Sequence, residues 1–421
     1  MTTSPALASR GALAGIKVLD LSRVLAGPWC TQMLADLGAD VIKVERPVAG
    51  DDTRHWGPPF LQDDAGRDTR EASYFTACNR NKRSITVDMA HPEGQALLRR
   101  MAREADVVVE NFKVGGLAQY GLDYDSLKAL SPRLIYCSIT GFGQDGPYAE
   151  RAGYDLMVQA MCGLMSITGQ ADGEPGGGPL KVGVAVIDVF TGLYASNAIL
   201  AALNARDNAR TGTGEGQYID MALLDVGMAV LANQAAGYLA TGQVPGRAGN
   251  IHPSLAPYQD FQTSDGNVLL AIGNDGQFRR FCAAVGREAW AQDARFATNT
   301  ARVHHRAALL ALMAPLMRER RTAEWIALLE DKAVPCGPIN TVAQAFDDPQ
   351  VRWRGIRTDL PRDAGDGITR VATVANPMRL SGTPVTYRNA PPALGQHTDE
   401  VLRELGLDTA AIAALRESQA V

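Results

Sequence analysis

The chain has 421 residues, which is long enough for two domains. Apolar residues make up 46% of it and charged residues 21%, as in an ordinary globular protein. The 41 lysines and arginines against 46 aspartates and glutamates give a net charge of −5. No dense basic tract occurs, so we expect no nucleic-acid partner.

The cysteines and histidines give no metal or redox signature. The six cysteines occur singly, without a CxxC pair, and the six histidines show no HExxH spacing. This pattern predicts reduced thiols, no metal site and a cytoplasmic location. Residues 1–10 have no cationic start followed by an apolar run, so no signal peptide is expected. The most apolar helical stretch, 226–240, contains Asn233 and Gln234 and falls short of a membrane span, so no membrane partner is expected.

The first half of the chain alternates strand and helix patterns. Residues 16–21 predict a strand, Pro28 lies in the first turn of a helix that ends before Gly38, and residues 40–45 predict a second strand. Repeated βαβ units predict an α/β fold with a parallel, doubly wound sheet, and ligands bind beyond the carboxyl ends of its strands. The later strands are predicted at 84–88, 106–110 and 134–139, and the later helices at 92–104 and 125–130.

The next part of the chain contains a second set of predicted elements. Residues 154–165 predict a helix, 182–187 a short strand and 190–203 a long apolar helix. The loop at 207–216 is the candidate domain boundary, and the chain beyond it reads as mostly helical to about residue 321. Residues 371–384 predict a strand or hairpin, and Thr398 is the predicted cap of a C-terminal helix.

The loop that follows the first strand, residues 22–28, contains a single glycine, Gly27. A dinucleotide site would have GxGxxG here, so that the backbone could approach the pyrophosphate, and NAD binding is therefore not predicted. Two interpretations stay open. The loop is either an ordinary tight turn or a helix N-terminus that faces another phosphate-bearing ligand.

Basic residues cluster near two predicted strand ends. They are Lys43, Arg46, Arg80, Lys82 and Arg83. Such charges are most often only solvated, but at strand ends in this fold they would also suit the phosphates of a nucleotide such as coenzyme A (CoA).

Asp188 stands between a predicted strand and a predicted helix. An aspartate in this position commonly caps the helix. A helix N-terminus also favours an ionised carboxylate, and ionisation is what a carboxylate nucleophile requires. The spacing alone leaves both roles open.

Long, ordered motifs resemble those of the class III CoA-transferases, the family of formyl-CoA transferase and carnitine CoA-transferase. The similarity covers nearly the whole chain. It lies at residues 15–47, 79–89, 107–117, 136–148, 153–155, 182–195, 335–340 and 390–406.

The resemblance implies a Rossmann-like large domain with a parallel sheet, formed by residues 1–215 and 330–421, a smaller α+β domain at 216–329, and an interlocked homodimer. The family's nucleophilic aspartate matches Asp188, and Leu25, Tyr154 and Asp155 match positions near the reacting groups. The family's CoA-contacting positions fall on Val24, Ala26, Arg46, Val87, Met89, Asn111, Phe112 and Lys113. A family arginine that binds a CoA phosphate is replaced by Gln119.

The implied reaction exchanges CoA between an acyl-CoA and a small carboxylic acid through an aspartyl-CoA thioester. CoA enters as a substrate, and no permanently bound cofactor is expected. An α-methylacyl-CoA racemase is the alternative, but that enzyme carries histidine where this chain has Tyr154, and tyrosine is a poor base at neutral pH. A non-catalytic CoA-binding protein is a third hypothesis, and the presence of Asp188 counts against it.

Four further segments, at 50–60, 257–261, 273–274 and 299–306, look most like the succinyl-CoA:glutarate branch of the family. Leu25 fits that branch, because formyl-CoA transferases carry glutamine there. We therefore expect succinyl-CoA as donor and a dicarboxylate such as glutarate as acceptor. The second carboxylate of such an acid needs a cation, and the candidates are Arg23, Arg54 and Arg80.

Overall fold

The structure is a computed structural model that describes residues 11–421. Residues 1–10, where the sequence predicts no signal peptide, lie outside the described residues. The chain divides into two compact units. The first unit contains the chain up to Leu164, together with Val182–Thr241 and Arg352–Val421, and the second unit contains Met165–Lys181 and Gly242–Val351.

The boundaries of these units differ from those in the sequence. The sequence places the domain boundaries at 215/216 and 329/330, whereas the chain passes between the units at 164/165, 181/182, 241/242 and 351/352. The cause is the strand Tyr218–Ala222, which pairs with Ile135–Thr140 and so keeps the chain in the first unit beyond residue 215. That each unit is a separate domain stays a prediction.

A six-stranded, all-parallel sheet forms the centre of the first unit. Counted along the chain, its strands lie in the order 3-2-1-4-5-6, which is the Rossmann-like order. The predicted α/β class and parallel sheet are therefore confirmed. From one edge to the other the strands are Lys82–Thr86, Asp40–Glu45, Lys17–Asp20, Val107–Glu110, Ile135–Thr140 and Tyr218–Ala222.

Helices cover both faces of this sheet. Neighbouring strand residues such as Val18 and Leu19 belong to different buried clusters, because strand side chains alternate between faces. On one face lie the Pro28 helix (Ala26–Asp36) and the Asp188 helix (Val186–Asp207). The other helices of this unit are Ser73–Thr76, Pro92–Glu104, Tyr124–Leu130, Asp155–Met161, Leu223–Ala229, Ala232–Thr241, Thr398–Glu404 and Thr409–Glu417.

Smaller elements complete the first unit. They are the 3-10 turns Asp52–His55 and Ala118–Tyr120, the hairpin of Phe60–Gln62 with Asp68–Ala72, and the pair of Arg357–Pro361 with Arg370–Val374. The predicted strand or hairpin at 371–384 is therefore one strand, and its partner lies earlier in the chain. Two short helices, Leu164–Ile167 and Pro349–Trp353, lie at the unit boundaries.

Three local predictions are wrong. Residues 182–187 form no strand, because the Asp188 helix already begins at Val186. The predicted helix at 154–165 breaks at Gly163, whose φ of 90° is outside the helical range. Thr398 does not cap its helix. It is the first helical residue, and its hydroxyl accepts a hydrogen bond from the backbone of Thr86.

The apolar segment predicted at 226–240 is not one helix. It is divided between the helices Leu223–Ala229 and Ala232–Thr241, whose axes are bent by 73°. The Asp188 helix is the one described helix that is long and apolar enough to cross a membrane. Its side chains Ile187, Ala195 and Ile199 are buried in the core of the first unit, as in the core helix of a globular protein. The absence of a membrane partner stays a prediction.

The second unit contains strands that the sequence analysis missed when it predicted a mostly helical chain to about residue 321. It contains an antiparallel sheet of Tyr258–Gln262, Asn267–Ala271 and Cys336–Pro338, and its first two strands form a hairpin closed by a bond from Thr263 N to Gly266 O. The sequence between these strands is Thr-Ser-Asp-Gly, a turn signal that the helical prediction missed. The helices are Asp275–Ala284, Glu288–Gln292, Asn299–His304, Arg306–Met317, Thr322–Asp331 and Val342–Asp347.

Candidate active site

The candidate site lies at the carboxyl edge of the parallel sheet, where the strand order reverses between Lys17–Asp20 and Val107–Glu110. The loops that leave these two strands are joined by Asn111. Its side chain accepts a hydrogen bond from Arg23 N at 2.8 Å and donates one to Arg23 O at 2.7 Å. This double contact fixes the 22–26 loop against the loop that contains Phe112 and Lys113.

Val24 holds a strained backbone at the centre of the first loop. Its φ is 70°, a conformation that a β-branched residue rarely adopts. The backbone N–H of Val24 lies 3.3 Å from both carboxylate oxygens of Asp51, and Asp51 is paired with the buried Lys43 at 2.9 Å. Although burial alone would raise it, the pKa of Asp51 is lowered to about 2 by Lys43. The ionised Asp51 therefore holds the loop in a conformation that is found mostly at functional sites.

Most of the basic residues near the strand ends are structural. Four arginines and lysines are buried and paired with carboxylates, so they are not available to phosphates. The pairs are Lys43–Asp51, Arg54–Glu45, Arg80–Asp36 and Lys82–Asp20. Arg83 contacts three carboxylates, those of Asp40, Glu400 and Glu404. The phosphate interpretation is therefore wrong for Lys43, Arg80, Lys82 and Arg83, and Arg46 is left as the exposed member of the cluster.

Asp188 opens into a cavity of about 470 Å³, which we call the Asp188 cavity. This volume is within the range of small-molecule sites. The cavity brings together nine of the residues singled out in the sequence: Arg23, Val24, Leu25, Ala26, Asn111, Phe112, Lys113, Tyr154 and Asp188. Three segments that are far apart in the chain thus meet around one carboxylate.

Asp188 is the third residue of its helix, so it is not the N-cap, a position held by Ala185. Asp155 does the capping instead, because its carboxylate accepts from Ile187 N at 2.8 Å and lies 3.3 Å from Asp188 N. Burial, and then the charge of Asp155, raise the pKa of Asp188 to about 7. The helix N-terminus alone would have had the opposite effect.

A second cavity of about 260 Å³ adjoins the first, since Arg23 and Phe112 line both. We call it the Arg46 cavity, and Arg46 and Met89 are the predicted CoA contacts that line it with Phe112. Val87 lines neither cavity, because its side chain is buried in the core. Asp155 also lines neither.

Several residues at the site were missed by sequence reasoning. Asp52 bridges two arginines, because it accepts from Arg23 at 2.8 Å and from Arg46 at 2.6 Å. Trp56 and Arg151 line the Asp188 cavity. Their signal was weak: Arg151 lies two residues before the segment 153–155 that resembles the family, but an isolated arginine in a loop is usually solvated.

Among residues 11–421, no cluster of three or more histidines, cysteines or carboxylates could hold a metal ion. All six cysteines are free thiols, and five of them are buried.

Comparisons with known proteins agree with this geometry. The model of the CoA-transferase family III matches residues 13–398. The chain is 54% identical to the succinate–glutarate CoA-transferase of Agrobacterium fabrum, over 93% of this chain and 95% of that one. It is 41% identical to the human succinyl-CoA:glutarate CoA-transferase, over 93% and 86% of the two chains.

A crystal structure of a CaiB/BaiF family protein from Brucella suis has the same fold. It superposes with a TM-score of 0.82 at 52% identity, and covers 94% of this chain and 100% of that one. The relatives are named as CoA-transferases, so the racemase alternative is not favoured. This chain is a member of the CoA-transferase family III and an enzyme of that class.

Proposed function

We propose that this enzyme transfers CoA from succinyl-CoA to a dicarboxylate such as glutarate, and that Asp188 carries the CoA as an aspartyl thioester. The observation that carries the proposal is the position of Asp188. It lies in the first turn of its helix and lines one cavity with the loops at 22–26 and 111–113. The names of relatives at 54% and 41% identity support the choice of succinate and glutarate.

In the first half of the proposed reaction, a carboxylate oxygen of Asp188 attacks the thioester carbonyl of the donor. The C–S bond breaks, which gives a mixed anhydride and the CoA thiolate. The thiolate then attacks the aspartyl carbonyl, forms the aspartyl-CoA thioester and releases the donor acid as a carboxylate. Covalent catalysis preserves the thioester in this way, and no net proton is consumed.

In the second half, the acceptor carboxylate attacks the aspartyl-CoA carbonyl and again releases the thiolate. The thiolate attacks the acceptor's carbonyl in the new anhydride, so that the product acyl-CoA leaves and Asp188 returns as a carboxylate. The apolar residues Leu25, Ile139 and Leu223 line the cavity and limit the access of water to these activated species.

The binding of CoA is proposed along the two adjoining cavities. Val24, Ala26, Asn111 and Lys113 line the Asp188 cavity, and Arg46 and Met89 the Arg46 cavity. Phe112 lines both the Asp188 cavity and the Arg46 cavity. A CoA phosphate that binds Arg46 would compete with Asp52, so we infer that the arginine turns from this carboxylate towards the ligand.

The proposal also covers assembly and setting. We infer that the enzyme is an interlocked homodimer in the cytoplasm and that its substrates are acyl-CoA and small carboxylic acids. We infer no resident cofactor and no nucleic-acid or membrane partner. Large apolar side chains of the first unit are exposed in the single chain, and exposed apolar patches commonly mark interfaces. They include Tyr154, Val184, Tyr194 and Leu239.

The variant Asp188→Asn tests the mechanism. The amide keeps the shape of the side chain but is not a nucleophile, so transfer should fall by about a thousandfold or more. In the wild type, hydroxylamine added with succinyl-CoA should leave a hydroxamate at Asp188, which peptide mass spectrometry detects.

The matched control is Asp225→Asn. Asp225 is likewise the third residue of its helix, is exposed and lines neither cavity, so this variant should keep wild-type activity and labelling. If Asp188→Asn kept more than about a tenth of the activity, or if the hydroxamate formed elsewhere, the aspartyl-CoA mechanism would be abandoned.

A further inference from the structure

We propose that Arg151 binds the second carboxylate of the dicarboxylate and so sets the preference for diacids. The inference rests on the proposed function, since a distal carboxylate exists only if diacids react. When one end of the acid reaches the carbonyl at Asp188, the other end stays ionised inside the cavity. A charge in that position is costly unless a cation meets it.

Two of the three cations named from the sequence are not available for this role. Arg54 makes two bonds of 2.7 Å to Glu45, and Arg80 is paired with Asp36. Both guanidinium groups are buried, and neither residue lines the Asp188 cavity. Arg23 does line the cavity, but its charge is paired with Asp52 at 2.8 Å.

Two cations of the cavity lining make no ion pair with any residue of the described chain: Lys113 and Arg151. Lys113 directly follows Phe112, which also lines the Arg46 cavity, so we assign Lys113 to the proposed CoA side. Arg151 is four residues from Asp155, whose carboxylate contacts the backbone N–H of Asp188. Arg151, and not Lys113, therefore belongs to the segment that is hydrogen-bonded to the start of the Asp188 helix.

The side chain of Arg151 is already oriented. Its guanidinium carbon lies 4.5 Å from the centre of the Tyr148 ring and 5.4 Å from that of Phe142. These two cation–π contacts restrict the guanidinium, whose N–H groups include the paired donors that fit a carboxylate. A preoriented arginine loses little conformational freedom when it binds the acid.

The backbone beneath Arg151 is fixed as well. Gly153 packs on Gly141, at the end of strand Ile135–Thr140, so closely that a Cβ added to Gly153 would lie 2.3 Å from the Cα of Gly141. The loop that carries Arg151 is therefore held against the sheet edge from which the site is built. Glu150 also lines the cavity, but it makes no ion pair with Arg151 in the described part of the chain.

The experiment compares glutarate with valerate, a monocarboxylate of equal chain length, in Arg151→Gln and in the wild type. The acceptor reacts with aspartyl-CoA after the donor acid has left, so its kcat/KM reports only the second half of the reaction. In the wild type we expect glutarate to exceed valerate by about a hundredfold. In Arg151→Gln the kcat/KM values for the two acids should differ by less than about fivefold, because kcat/KM falls for glutarate and not for valerate.

Two variants serve as controls. Arg151→Lys keeps the charge without the planar fork, so it should retain most of the preference for glutarate at a higher KM. Arg210→Gln removes an exposed arginine from the 207–216 loop, outside both cavities, and should leave kcat/KM unchanged for both acids.

The outcomes separate this inference from the proposed function. If Arg151→Gln forms the hydroxamate at Asp188 but keeps the wild-type ratio of glutarate to valerate, the role of Arg151 is refuted and the aspartyl-CoA mechanism stands. Equal losses on both acids would likewise overturn the role of Arg151. A wild type that does not distinguish the two acids would remove the basis for any distal-carboxylate site.

Discussion

At the scale of single residues, Asp188 is subject to opposing influences on its ionisation. The helix N-terminus favours the carboxylate, whereas burial and the nearby Asp155 disfavour it, and the balance leaves a pKa of about 7. Roughly half of the free enzyme would then hold Asp188 as a nucleophile at neutral pH. A carboxylate with this pKa is also more basic than an ordinary aspartate and so more nucleophilic.

This pKa predicts the pH dependence of the first half-reaction. The kcat/KM for succinyl-CoA should rise about tenfold per pH unit below pH 7 and level off above it, because only the ionised Asp188 attacks. Burial also raises the pKa of Glu110 to about 7, so Glu110→Gln is the control and should keep the same midpoint. A rate that stays constant between pH 5.5 and 8 would contradict the assigned ionisation.

At the scale of elements, the position of Asp188 depends on the contact of two helices. Gly192, one turn after Asp188, faces the Pro28 helix without a side chain. A Cβ at this position would lie 2.7 Å from Ala26 O and 3.1 Å from Cys30 N. The close approach brings the start of the Asp188 helix to the loop of Val24, so that both line one cavity.

Gly192→Ala should therefore destabilise the protein by about 1–3 kcal/mol, because the added methyl group meets backbone atoms that cannot rotate away. This destabilisation is opposite in sign to the increase in helix stability that alanine normally brings over glycine. Gly337→Ala, in the strand Cys336–Pro338, is the control for an added methyl group without a clash, since a Cβ there meets nothing within 4 Å. Thermal unfolding of both variants measures the difference, and equal melting temperatures would disprove the contact.

At the scale of the whole molecule, the exposed apolar side chains of the first unit are candidates for burial in an interface. Tyr154 is 66% exposed and Leu239 81% exposed in the single chain. Leaving such groups in water forgoes about 25 cal/mol for each Å² that an interface would bury. Tyr154 belongs to the site as well, so a partner chain that covers it would also exclude water from the reaction.

The proposed interlocked dimer predicts that folded monomer is undetectable, because interlocked chains separate only by unfolding. Sedimentation velocity at nanomolar concentration should show a single species of twice the chain mass of 44.9 kDa. Leu239→Glu would place a charge in the interface and should lower the yield of folded dimer. A reversible equilibrium between monomer and dimer at these concentrations would rule out interlocking.

The sequence by itself determined the class of this protein. Strand and helix periodicity is local, so the βαβ units of the first 140 residues and the parallel sheet could be predicted from it. Asp188 and the loop residues Val24, Asn111 and Lys113 were found by their resemblance to a family, and the cavity brings them together. The sixth strand, Tyr218–Ala222, was missed because its place depends on pairing with a strand about eighty residues away.

Only the tertiary structure decided which charges are free. Lys43, Arg80, Lys82 and Arg151 are all basic residues near glycine-rich or strand-end segments, and the sequence does not distinguish them. Three of them are buried against carboxylates, and the partners of Lys82 and Arg80 come from more than forty residues away. The fourth, Arg151, lines the cavity of Asp188 and makes no ion pair with any residue between 11 and 421. The same holds for the pKa of Asp188, because burial and the approach of Asp155 arise from packing that no local pattern contains.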